Sequence, residues 1–161
     1  MVDKHMFYFN LMNALKEEGC GVCFVVKDAA YRFMDNLLYE RTNDPYLRKE
    51  VKDSLGFCLL HAWQLQGLGD CLSSTIIYSD LMNSLANGIK TAEDKRHFLA
   101  RFSKIKNRGS HENKRITCPV CKITRETEKN CITLFVDSFS EPEFHSAYKK
   151  SFGLCLPHLT T

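Results

Sequence analysis

Apolar positions recur at helical spacing along most of the chain. Tyr8, Leu11, Met12 and Leu15 form one stripe between Phe7 and Glu18, and Gly19 ends it. From Phe24 to about Arg41 the positions Val26, Ala30, Phe33, Met34, Leu37 and Leu38 share one side, with Lys27, Asp28, Arg32, Asp35 and Glu40 elsewhere on the wheel. This predicts a long amphipathic helix. Asp44 before Pro45 is an N-cap followed by a first-turn proline, so a short helix should run from Pro45 to about Leu55 and stop at Gly56. Cys58 and His61 then open a helix carrying Trp63 and Leu65, which breaks near Gly67 and Gly69. Leu72 to Ala86 is striped by Ile76, Ile77, Leu81, Met82 and Leu85 and closes at Asn87-Gly88. Thr91 to Asp94 resembles a capping box, opening a helix with Phe98, Leu99, Phe102 and Ile105 on one side. After a polar linker at 107–114, a second long helix is expected from Lys122 to Phe139, then a short one from Pro142, ending before Gly153. Alternation suggests a strand only at Ile132–Val136, which falls inside that long helix. The pattern predicts an all-α protein.

These elements frame one phrase written twice. Cys20-Gly-Val-Cys23 leads to Gly56-Phe-Cys58-Leu-Leu-His61, and Cys118-Pro-Val-Cys121 leads to Gly153-Leu-Cys155-Leu-Pro-His158. A shift of 97 also places Pro45 on Pro142, Lys52 on Lys149 and Ser54 on Ser151. Three thiolates and one imidazole complete the four-coordinate shell of a structural zinc ion, and helix N-termini favour the thiolate form. The expectation is therefore two Zn²⁺ sites within one repeat each: Cys20, Cys23, Cys58 and His61 in the first, Cys118, Cys121, Cys155 and His158 in the second. A crossed arrangement, with Cys20 and Cys23 meeting Cys155 and His158, closes a much longer loop and is disfavoured on that ground. Related half-domains follow: 1–89 with the first repeat, 90–115 as basic helix and linker, and 116–161 with the second repeat, packed as one compact protein.

Composition adds bounds rather than a task. The 161 residues are 44% hydrophobic and 25% charged, enough for a packed core. No signal-peptide pattern stands at the N-terminus and no apolar run approaches a membrane span, so a cytoplasmic protein is expected. There the eight cysteines stay reduced, and x2 spacing suits metal better than disulfides. Cys71 and Cys131 are left over and read as buried small hydrophobes. Trp63 is placed either as a shield for the first site or as core. The formal charge of +3 changes by +2 for the ion and −3 for the thiolates at each site, giving +1. Global charge thus favours no partner.

Within it, Lys90 to Arg115 holds nine Lys or Arg against three acids, a face for nucleic acid or an acidic protein, although such a charge run is more often a solvated helix face, which is the favoured reading. His5, His97, His111 and His145 have no partner at ligand spacing. No nucleophile with a base, paired acids or phosphate loop stands out, so the reading leans away from an enzyme. Iron–sulfur clusters are the alternative cofactor, since three Cys and one His can hold them.

CGVC, the helix ending LLYERTNDP, and GFCLLHAW followed by LGDCLSSTIIYSDLM resemble an uncharacterised bacterial and archaeal family with the pattern CPxC, LLYExxNDP and GFCxxHxW. The resemblance spans nearly the whole chain and implies a helical metal-binding domain without an assigned activity. Gly21 replaces the family's usual proline, and only three residues follow His158, so the second site is expected to be the weaker. The reading is a zinc-stabilised binding or scaffold module with an unknown protein partner or a second copy of itself. A redox iron–sulfur protein or a nucleic-acid-associated regulator are its alternatives.

Overall fold

A computed structural model describes residues 6–90 and 117–160. In order these form α1 (Met6–Ala14), α2 (Gly21–Tyr39), α3 (Pro45–Asp53), α4 (Leu59–Gly67), α5 (Cys71–Lys90), α6 (Pro119–Ser138), α7 (Pro142–Lys150) and α8 (Leu156–Leu159). The described residues contain no strand, and Ile132–Val136 is helical. Among them no helix is long and apolar enough to cross a membrane. The capping box at Thr91, the helix with Phe98 and Phe102, and nearly all of the basic 90–115 segment lie outside the described residues.

Local chemistry accounts for most boundaries. Asp44 caps α3: its carboxylate accepts from the backbone N–H of Tyr46 at 2.9 Å and of Leu47 at 3.4 Å, with Pro45 in the first turn. The Arg41 guanidinium beside it, together with those N–H groups, holds the Asp44 carboxyl below its ordinary range. Glu141 takes the same place before Pro142, but its carboxylate accepts from the Tyr8 hydroxyl at 3.1 Å and so ties α1 to the start of α7. At the end of α3 the backbone N–H of Gly56 reaches the carbonyl of Val51 at 2.8 Å, and that of Leu55 the carbonyl of Lys52 at 3.0 Å. This closure puts both Leu55 (φ 56°) and Gly56 (φ 94°) in the left-handed region, so a leucine shares the turn that glycine alone was expected to make. Helix α5 departs from expectation by running through Asn87-Gly88 to Lys90. A helical glycine weakens a helix by about 1 kcal/mol, which is too little to end one of this length.

The chain divides into two compact units. The first joins both ends of the chain, Met1–Phe33 and Lys122–Thr161. Its core sets Tyr8, Leu11, Ala14, Leu15, Val22 and Val25 against Cys131, Phe135 and Phe144. Phe135 packs edge-on to Phe144 and Tyr148, each ring pair 5.2 Å apart. The second unit is Met34–Cys121. There α5 packs against α3 and α4, with Leu37, Leu47, Val51, Leu65, Ile77 and Leu81 buried. Asp80 on α5 accepts from Arg48 at 2.9 Å and Lys52 at 2.7 Å on α3.

Three side chains sit differently from expectation or resolve it. Cys131 is fully buried, but Cys71, the first residue of α5, is exposed. Its helix starts under the cap of Asp70, which accepts from the Ser73 N–H at 2.9 Å, and the neighbouring Leu72 is exposed as well. Trp63 is 65% exposed and belongs to no core. It lies two residues from buried His61, on the far side of α4 from His61 and Leu65.

Candidate metal centres

Each of the four cysteine motifs occupies the start of a helix. Cys20 immediately precedes α2 and Cys23 lies in its first turn, and Cys118 and Cys121 stand in the same way to α6. Cys58 and Cys155 are the N-cap residues of α4 and α8, with His61 and His158 three residues on. That spacing turns both side chains to one side of the first turn, so Cys58 Sγ lies 3.1 Å from His61 Nδ1 and Cys155 Sγ 3.2 Å from His158 Nδ1. Gly56 and Gly153, both at positive φ two residues before these cysteines, swing the chain from the preceding helix into position.

The eight side chains gather into two groups, Cys20, Cys23, Cys155 and His158, and Cys58, His61, Cys118 and Cys121. Within each group all ligand atoms lie within 4.8 Å of one another. The crossed pairing is therefore the one present, and the assignment of a complete shell to each repeat is corrected. In the first group His158 Nδ1 faces Cys20 at 3.4 Å and Cys23 at 3.5 Å, and the Cys23 and Cys155 sulfurs are 3.7 Å apart. In the second His61 Nδ1 faces Cys121 at 3.3 Å and Cys118 at 3.7 Å, with the Cys58 and Cys121 sulfurs 3.6 Å apart.

Magnitudes explain the correction. Cys23 and Cys155 are 132 residues apart, about two doublings beyond a thirty-four-residue loop, and each doubling costs only about 0.6 kcal/mol. The pairings are also nested. Closing the inner group spans the 63 residues between Cys58 and Cys121 and roughly halves the outer loop. Against this small term stands the shared core of α1, α2, α6 and α7, where burying one side chain such as Leu11 or Phe144 is worth about 1.5–3 kcal/mol. The core brings Cys20 to Cys155, and chain length does not prevent it.

Each group has the electrostatics of a set of thiols crowded too closely to ionise together. Burial raises the Cys20 thiol, but backbone N–H groups of Cys155 and Cys23 and contacts with His158 and Cys155 outweigh it and bring it down to about 6. Cys23, desolvated and beside Cys155 and Cys20, is pushed up to about 12. In the second group burial of Cys58 is likewise outweighed by the first-turn N–H of His61 and by Cys121, so its thiol is lowered. Burial and the neighbouring Cys58 and Cys118 raise Cys121 to about 12. One thiolate forms readily and the next resists, which is the condition a divalent cation relieves. Burial lowers His61, favouring the neutral imidazole a metal needs.

One further participant was not read from the sequence. Glu128 on α6 has its carboxylate 2.9 Å from Nε2 of His158, the ring nitrogen opposite the thiols. No motif spacing marks it. Its only signal is an acid seven residues after Cys121, which puts it on the same side of the long helix as that cysteine, at the edge of the stripe that buries Cys131 and Phe135.

Residues 3–161 match the family described as "Family of unknown function (DUF6062)". A protein of Caldicellulosiruptor sp. (strain Rt8B.4), described as "Uncharacterized 23.9 kDa protein in xynA 3'region", is 30% identical over 154 residues, covering 92% of this chain and 68% of that protein. No solved structure matches the chain.

Proposed function

The chain belongs to this family of unknown function, and from that premise we propose that it is a helical binding or scaffold module held together by two structural zinc ions. Cys20, Cys23, Cys155 and His158 hold one ion. Cys58, His61, Cys118 and Cys121 hold the other. The observation that carries the reading is the size of the two ligand sets. Zinc–sulfur and zinc–nitrogen bonds of about 2.3 and 2.0 Å set tetrahedral edges of roughly 3.8 Å between sulfurs and 3.5 Å between sulfur and nitrogen. One sulfur–sulfur distance in each set, 3.7 and 3.6 Å, and the sulfur–nitrogen distances of 3.1–3.7 Å fit that figure, and within each set no two ligand atoms are more than 4.8 Å apart. A four-iron cluster holds each ligand on a different iron, which spreads the ligand atoms well beyond mutual contact.

Four protein ligands fill the shell and leave no position for substrate, so the ion's work is mechanical. It can supply on the order of 10–16 kcal/mol, comparable with the whole net stability of a domain. A role in contacting another molecule is supported by the exposed Leu59, Leu60 and Trp63 on α4, large apolar side chains on the same turns that carry the inner ligands.

The test is elemental analysis with an absorption spectrum on protein purified without oxygen. Two zinc per chain and a colourless solution are expected. Iron with sulfide and a broad visible band would replace this reading with a redox one.

A further inference from the structure

The two centres differ outside their ligand shells. His158 Nδ1 faces three sulfurs, and its Nε2 lies 2.9 Å from a Glu128 oxygen. The imidazole is nearly enclosed, its side chain 8% exposed, whereas Glu128 is 42% exposed and reaches it from the solvent side. For His61 the same Nδ1 faces three sulfurs, but Nε2 has no carboxylate beside it among the described residues. Sequence offers a reason for the difference. The CxxC pairs superpose at a shift of 98, and at that shift the counterpart of Glu128 is Ala30.

Resting on the zinc reading, we propose that Glu128 is a positioning residue for the outer centre, fixing the His158 ring with its proton on Nε2 so that the Nδ1 lone pair is presented to the ion. Only a neutral imidazole with Nδ1 unprotonated can ligate through that atom. An Nε2–H donating to a carboxylate selects this tautomer, stops rotation of the ring and raises the basicity of the ligating nitrogen. Without the acceptor, the ring must reach the same state against its other tautomer and other rotamers. The outer centre is accordingly the better oriented of the two, despite being built partly from the four-residue helix α8.

The experiment uses the full chain loaded with zinc and compares wild type with Glu128→Ala and Glu128→Gln. Zinc is competed away with a chromophoric chelator, and the histidine tautomers are read from ring nitrogen shifts by NMR. Glu128→Ala should weaken one of the two zinc sites about 10–100-fold and leave the other at wild-type affinity. The His158 ring signals should broaden or shift while those of His61 stay. Glu128→Gln keeps an oxygen acceptor, so it should preserve the tautomer and lose less affinity. If the alanine variant folds poorly, the glutamine variant carries the test through its retained tautomer and intermediate affinity. Wild-type zinc affinity at both sites and an unchanged His158 tautomer in Glu128→Ala would overturn the role of Glu128 and leave the zinc reading standing. Failure of the wild-type chain to bind two zinc ions would overturn both.

Discussion

Cys155 can be paired experimentally with either of two partners, and the choice separates the two wirings. In the crossed wiring Cys155 and Cys20 serve one ion, so Cys155→Ser combined with Cys20→Ser should still leave one zinc per chain. Cys155→Ser combined with Cys121→Ser removes a ligand from each centre and should leave none. The repeat-local wiring reverses both outcomes, so zinc content of the two double variants decides the matter. Gly56 supports a second residue-scale prediction. Its φ of 94° is strained for any side chain, and a Cβ there would stand 2.9 Å from Leu81 Cδ2. Gly56→Ala should lower stability by about 1–3 kcal/mol, measured by denaturant unfolding of the zinc-loaded chain. A midpoint equal to wild type would mean that the turn after α3 is not in the left-handed conformation.

At the scale of elements, the α3–α5 contact is the place where charge assists packing. Lys52 and Arg48 hold the Asp80 carboxyl below its ordinary range, against the opposing effect of its partial burial. A carboxyl whose folded pKa is depressed stabilises the fold fully above its unfolded value, about 3.9, and loses that contribution as pH falls through the folded value. Asp80→Asn should therefore be less stable than wild type near neutrality by roughly 0.5–1 kcal/mol, the range for a partly exposed network. The gap between the two proteins should close in acid. A constant gap across the titration would show that the asparagine disturbs packing instead. Most of this level was legible in the chain. The Asp44-Pro45 start, the amphipathic stripes of α2 and α6, and the ligand pairs at helix starts all follow from local chemistry. The exposure of Trp63 was also available, since His61 and Leu65 are four apart on one face and position 63 is opposite. What local chemistry could not supply was the Asn87-Gly88 passage, where the helix tolerates a glycine, and the Glu128 contact, which joins residues thirty apart.

At the scale of the whole molecule, the repeated phrase told which eight residues to consider but not how they combine. Spacing along the chain favours the nearer partner, and the preference is about 1 kcal/mol, which one buried side chain outweighs. The consequence is a chain whose two ends complete the same unit around one centre, while the middle completes another around the second. Loss of one centre should then be felt by a discontinuous part of the sequence. Cys155→Ser in the full chain should release one zinc and strip hydrogen-exchange protection from α1 and α7 together, 128 residues or more apart, because both pack around Tyr8 and Phe144. Amides of α4, which carries Cys58 at its N-cap and His61 of the retained centre, and of α3 and α5, which are joined by the Asp80 contacts, should keep their protection. Protection lost from α3 and α4 but kept in α1 would contradict the division. A uniform loss along the chain would mean that both centres stabilise one cooperative unit, since an ion worth more than the net stability of its surroundings unfolds whatever is coupled to it.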